Sequence, residues 1–256
     1  MVYPVQRSHS YTKRTKKKKK KSKLPFIVAI AIIIVIAILS VVFFLYNNLI
    51  HSKVVTDDRI DYVFYMKGIE KIFLIRTDKK EKINYLISIP KISYEPIMAI
   101  SMDQPNPREI SRSVEKLFGA VDSSFYSSID QEAFNHIVNL STNENTINYE
   151  QLTIGQFVEI IEHITLDWYE FLFFNQSKSL IQAQSEHNYT QHGSYRIIKH
   201  INQYANKEVP MTFMTKAPVK ITIQQNGPES NEKPIEYERL YIDDKSLDTI
   251  MEFMKR

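Results

Sequence analysis

The chain has 256 residues, no cysteine and five glycines, and its Lys and Arg outnumber its Asp and Glu by four. That excess sits at the front. Ten basic residues and no acid precede His51, while the remainder carries 23 basic against 29 acidic residues, a net of −6. These counts exclude disulfide stapling, thiol catalysis and Cys-based metal sites, and they speak against a Gly-rich phosphate loop.

Residues 1–23 read as a basic cytoplasmic tail, with Lys13, Arg14, Lys16 to Lys21 and Lys23 in close succession. Residues 24–46 read as a transmembrane helix. Seventeen of these 23 residues are Ile, Leu, Val or Phe, and no Asp, Glu, Lys or Arg occurs from Leu24 to Ser52. About 20 helical residues at ~1.5 Å rise cover the ~30 Å hydrocarbon core. The apolar run exceeds that of a cleaved signal peptide, and Val41–Tyr46 offers no small-x-small pair, so the segment is expected to stay as an anchor. Basic residues before the span, against a single Lys53 after it, keep the N-terminus cytoplasmic and place the C-terminal domain outside. Beside a span the lysine run serves topology and attracts anionic lipid headgroups; nucleic acid is not expected as a partner.

A polar spacer covers residues 47–58, and residues 59–256 form one domain, large enough to hold a core without staples. Three β-rich runs open it: Ile60–Met66, Lys71–Arg76 and Ile83–Ile89, the second and third joined by the charged turn Thr77–Lys82. Residues 90–107 carry four prolines and read as loop. Ile110, Val114, Leu117 and Phe118 mark a helix ending at Gly119. Phe125–Ile129 is a strand, and Asp130 caps a helix bearing Phe134, Ile137 and Val138. Phe157, Ile160, Ile161 and Ile164 mark another helix, leading into the aromatics Trp168, Tyr169, Phe171, Phe173 and Phe174. That cluster reads as core before it reads as a lipid tunnel or saccharide platform. Ser194 is expected to cap a helix carrying Ile197, Ile201, Tyr204 and Ala205. Strands Val219–Gln224 and Tyr237–Ile242 follow, and Ser246 caps a last helix with Leu247, Ile250, Met251 and Met254. The order predicts an α/β fold, a mixed central sheet flanked by helices, behind one N-terminal transmembrane helix.

Other constellations read as structural. His187 and His192, five apart in EHNYTQHG, do not share a helix face and make a poor metal pair. Glu159, Glu162 and His163 form a solvated face, and Asp243 and Asp244 support the last helix through its dipole. Asn139, Asn175 and Asn188 open N-x-Ser/Thr triplets, which fix no compartment.

The segment KIFLIRTDKKEKINYLISIPK, ending at Ser88, Ile89, Pro90 and Lys91, resembles the opening of the LytR–CpsA–Psr domain, in which a charged turn precedes a strand closing in Ser-Ile-Pro-Arg-Asp. SVEKLFGAVDSSFYSSIDQEAFNHIVNL (Ser113–Leu140) resembles that family's helix, Gly turn, short strand and Phe-containing helix. YERLYIDDKSLDTIMEF resembles its last strand and helix. The resemblance implies a phosphotransferase that moves glycopolymers from a polyprenyl-pyrophosphate carrier to the cell wall. It also implies Mg²⁺, arginines on the pyrophosphate and a hydrophobic tunnel for the lipid. Carried over residue by residue, it makes Lys91 and Arg196 catalytic, makes Lys91, Arg196 and Lys199 substrate-binding, and places Glu70 on the metal. The chain departs from the pattern where the chemistry lies. Lys91 and Ile92 stand for Arg-Asp, and GSYRIIKH (Gly193–His200) keeps one arginine of the Gly-Arg-x-x-Arg-Gln signature. A lysine supplies charge but no two-pronged fork. The alternative is therefore a non-catalytic relative that binds a lipid-linked or saccharide ligand, or a partner protein, at the outer membrane face. Arg108 and Arg112 are further basic residues available for the missing arginines' task. An unrelated type II membrane glycoprotein is a third reading.

Overall fold

The computed structural model describes residues 24–141, 147–182, 184, 186–210, 218–223 and 235–255. The basic tail and Gln224, the expected end of a strand, lie outside these residues. The chain divides into two compact units, Met1–Phe43 and Phe44–Arg256. Helix α1 (Leu24–Ile50) is continuous, four residues longer than the span read from the sequence. It is long and apolar enough to cross a membrane, with a mean hydropathy of 3.5 over Pro25–Ile50.

A one-turn helix α2 (Lys53–Thr56) leads into β1 (Arg59–Met66), β2 (Lys71–Asp78) and β3 (Ile83–Pro90), all antiparallel. β2 runs two residues past Arg76 because Thr77 pairs with Asn84, its buried hydroxyl donating to Asn84 Oδ1 at 2.8 Å. Residues 90–107, read as loop, contain β4 (Ser93–Glu95) and β5 (Ile100–Ser101). Helix α3 (Pro107–Phe118) starts at Asn106, whose side chain accepts from Glu109 N, with Pro107 in its first turn. β6 (Ser123–Ile129) then feeds α4 (Gln131–Leu140), capped by Asp130 as its spacing predicts.

After a short 3₁₀ turn (Tyr149–Gln151) comes α5 (Ile154–Glu162), opened by a reciprocal box between Thr153 and Gln156. Short α6 (Glu170–Phe173) and α7 (Asn175–Gln182) precede α8 (Gln191–Gln203). The cap of α8 is Thr190, which accepts from Gly193 N at 3.1 Å; Ser194, expected there, lies inside the helix with its hydroxyl buried. Tyr204 and Ala205 leave that helix, and Ala205 opens β7 (Ala205–Glu208). β8 (Val219–Ile223), β9 (Ile235–Tyr241) and α9 (Asp244–Lys255) complete the chain. Asp243, not Ser246, caps α9, accepting from the Ser246 backbone N at 3.0 Å and from its hydroxyl at 2.6 Å.

Two mixed sheets result. The central one has the order β6-β1-β2-β3-β7, with β6 and β7 parallel to their neighbours; the smaller has the order β5-β4-β9-β8. Alternation along β1 sends Tyr62, Phe64 and Met66 to one face, packed with residues of α4, α5, α7 and α8. Val63 and Tyr65 point to the other, with residues of α3 and α9. Helices thus cover both faces of the central sheet, as the mixed α/β reading expects. The first face is the richer in rings. Phe64 meets Phe157 at 5.0 Å and Tyr189 at 5.8 Å, and Tyr62 stacks on Phe125 at 5.7 Å.

Candidate functional site

Lys91 follows β3 directly, and its backbone N donates to Glu70 O at 2.8 Å. Glu70 closes the β1–β2 turn in the left-handed region, at φ 50, two residues after Gly68 at φ 88. That geometry aims the Glu70 carboxylate at Tyr65, whose hydroxyl donates to it at 2.9 and 3.0 Å. Lys91 Nζ lies 3.1 Å from Glu70 Oε2, 3.2 Å from Tyr65 Oη and 3.5 Å from Asp103 Oδ1. It also stands over the Tyr65 ring, 5.0 Å from its centre. Burial alone lowers the Lys91 pKa, but the bonds to Tyr65 and Glu70 outweigh it, and the net shift is upward. Lys91 is a permanent cation, already matched by two carboxylates.

Arg196 and Lys199 are elsewhere. Both lie on α8, against the opposite face of the central sheet. Arg196 lies close enough to Lys79, just past the far end of β2, to help lower its pKa, behind burial as the main cause. The length of β2, seven steps from Lys71 to Asp78 or about 23 Å at ~3.3 Å each, separates that end from the Lys71–Pro90 pair beside Lys91. Lys91 and Glu70 therefore form one group, and Arg196 with Lys199 another; the four do not converge on one site. Lys199 Nζ rides on the Tyr195 ring at 5.0 Å, while Arg196 Nε is buried with no hydrogen-bond partner. One turn on, His200 Nδ1 lies 3.2 Å from Tyr62 Oη, and the ring stacks on Tyr204. Its pKa is pushed down to about 3, first by burial and then by Arg196 and Lys79.

At the start of α8 lies an open cleft of about 550 Å³, lined among others by Lys53, Val54, Ser123, Phe125, Thr190 and His192 but not by Arg196, while Lys199 lines a different one of about 330 Å³ with Glu162, Leu166 and Asn202. His192, one helical turn from Arg196, has its pKa lowered by burial and by that guanidinium. Its former pair-mate His187 instead bridges Ser127 through the backbone. The pair expected to be a poor metal site is thus split between α8 and the edge of β6.

The resemblance also implies Mg²⁺. Glu70 spends its oxygens on Tyr65 and Lys91, Asp103 faces the same ammonium, and among the described residues no three carboxylates or imidazoles gather. As folded, both carboxylates are engaged by the Lys91 ammonium. Arg108 lines a separate shallow pocket with Tyr126 and His187, and Arg112 pairs with Glu109 on the exposed side of α3.

Sequence reading did not find Tyr65 and Asp103, which complete the Lys91 group, or the buried pair Asp61–Arg76. The Arg76 fork holds both Asp61 oxygens at 2.8 and 2.7 Å, and its remaining donors reach the carbonyls of Phe118 and Gly119 at the end of α3. Burial raises the Asp61 pKa, with Arg76 opposing it. The available signal was an acid, Asp61, in one apolar strand and a base, Arg76, in its neighbour, each flanked by apolar residues or Thr.

The fold and this site define an α/β domain on a single apolar helix, with its cations split between two faces of one sheet. No family model and no curated protein matches the chain. Solved structures do. TagV of Bacillus subtilis is similar at 10% identity and a TM-score of 0.49, over 78% of this chain and 96% of that one. The Lin1025 protein of Listeria innocua is similar at 14% identity and 0.47, over 77% and 97%. TagT, a LytR-CPS2A-psr family protein with bound octaprenyl pyrophosphate lipid, is similar at 10% identity and 0.45, over 77% and 89%.

Proposed function

We propose that the chain is a single-span envelope protein of the LytR–CpsA–Psr kind, its N-terminus cytoplasmic and its α/β domain outside. That domain binds a polyprenyl-pyrophosphate-linked glycopolymer at the Arg196 end of the sheet and does not transfer it. The carrying observation is the division of the cations: Lys91 is matched by Glu70 and Asp103, while Arg196 sits on the other face with Nε unpartnered. Phosphoryl transfer needs several charges converging on one pyrophosphate. Binding needs fewer, and the cleft at the start of α8 offers Lys53 and His192, the latter one turn from Arg196 and within reach of its charge.

The test uses the full chain in nanodiscs with a polyprenyl pyrophosphate, with and without Mg²⁺. Arg196→Ala is expected to weaken binding about tenfold or more (~1.4 kcal/mol), while Lys91→Ala leaves it unchanged. No glycopolymer transfer is expected. Transfer, or binding that depends on Lys91 instead of Arg196, overturns the proposal and restores the phosphotransferase reading.

A further inference from the structure

Residues 166–174, LDWYEFLFF, do not pack as the core cluster their composition suggests. Only Phe174 of the expected aromatics is buried; Trp168 is 83% exposed and Phe173 56%. The segment is nonetheless held firmly. The buried Glu170 carboxylate accepts from the Ser177 backbone N at 2.9 Å and its hydroxyl at 3.1 Å. Phe174, at φ 52, ends α6 and packs with Leu49 and Tyr195. Trp168, Tyr169 and Phe173 pack edge to face, ring centres 5.4 and 6.2 Å apart. This is a rigid aromatic tip with its largest rings in the open.

Its neighbour points to a partner. Phe171 meets Tyr46 edge-on, ring centres 6.1 Å apart, and Tyr46 belongs to the last turns of α1. A helix of 27 residues measures about 40 Å, some 10 Å more than the hydrocarbon core requires. With Leu24 at the inner boundary, the core is crossed by about Phe44, so Tyr46 stands at headgroup level. Trp and Tyr rings favour that level because one part is apolar and the other donates hydrogen bonds to wet groups.

We propose that Trp168 and Phe173 dock into the headgroup layer of the leaflet from which α1 emerges, making this segment a second membrane contact of the domain. The contact has a consequence for the binding cleft. Phe174 lies 5.2 Å from His192, ring centre to ring centre, and His192 lines the cleft, so the docked segment adjoins the cleft wall. The inference rests on α1 being an anchor, as proposed above, and not on which ligand the cleft takes.

Trp168 is the chain's one tryptophan, so its fluorescence reports this site alone. The full chain is reconstituted in phosphatidylcholine–phosphatidylglycerol vesicles carrying bromine either near the headgroup end of the acyl chains or deep within them. Flotation with the vesicles after alkaline carbonate tests the anchor separately. The expected result is loss of most Trp168 emission with shallow bromine, little loss with deep bromine, and weak quenching by aqueous iodide. Phe173→Ser is expected to restore part of the emission. Protein that floats while Trp168 stays open to iodide, or is shielded from iodide without bromine quenching, overturns the docking but leaves the anchor standing. Protein that does not float overturns both.

Discussion

The two faces of the central sheet treat charge in opposite ways. On the face under α3 and α9, cations come with their acids: Arg76 is forked onto Asp61, and Lys91 is shared by Glu70, Tyr65 and Asp103. On the face under α5 and α8, Arg196 keeps a buried donor unused, His200 is held neutral, and the Tyr189 hydroxyl is buried without a partner. On the first face every one of these cations is paired within the fold, and among the described residues the unpartnered buried group there is a neutral hydroxyl, that of Ser128. The second retains unspent hydrogen-bonding capacity behind α8, whose first residues line the cleft. A cation in the expected place along the chain is therefore not yet a binding residue; what matters is whether a carboxylate has already taken it.

The strongest way to break this contrast is at the Asp61–Arg76 pair. Removing one partner, as in Asp61→Ala, leaves a buried charge unmatched and is expected to cost about 3–5 kcal/mol in urea unfolding followed by circular dichroism. Asp61→Leu combined with Arg76→Met should recover part of that, the two α3 carbonyls remaining without a donor. If single and double variants lose equally, the pair is not what closes this face.

His200 sharpens the other side. Its folded pKa, about 3, lies below the ~6.5 of an unfolded histidine. Between these values the unfolded chain takes up a proton that the native state refuses, so this contribution is complete above pH ~7 and is lost as pH falls from ~6.5 towards 3. From pH 7 to pH 5 the loss is about 2 kcal/mol, at ~1.4 kcal/mol per unit below 6.5. His200→Phe is expected to remove that slope, whatever it does to stability at pH 7. An unchanged slope would mean that His200 protonates freely and this face is wetter than it looks.

Lys91→Met should matter little by comparison. Its main partner Glu70 is half exposed, and such pairs contribute roughly 0.2–1 kcal/mol. A far larger cost would put Lys91 in the same class as Arg76. As a reference outside either charge group, Asp130→Ala removes the cap of α4 and is expected to cost about 1 kcal/mol.

Much of the architecture was legible locally. The span, the three opening strands and the α4 cap at Asp130 depend on apolar runs, β-branched and aromatic residues, and a carboxylate three residues before the N–H that donates to it, all within one stretch of chain. The errors have a common cause. β7 reads ANKE, with no apolar alternation, and is a strand because β3 offers Ile83–Leu86 as an edge to pair with. β4 and β5 hide among prolines, and β4 is fixed by pairing with β9, nearly 150 residues away. The caps of α8 and α9 were displaced because Ser194 and Ser246 sit inside helices whose first hydroxyl or carboxylate comes earlier.

The sequence alone thus determined an apolar helix long enough for a bilayer, a mixed α/β domain, and where its lysines and arginines fall along the chain. Only the tertiary structure decided that Lys91 meets Tyr65 and Asp103, that Arg196 lies across the sheet from it, and that Trp168 stands in the open beside Tyr46. Hydrophobic periodicity acts over a few residues and is written in the chain. Charge pairing depends on distances in space between groups far apart in sequence, and here one strand's length and the choice of sheet face separated residues that a linear pattern had placed together.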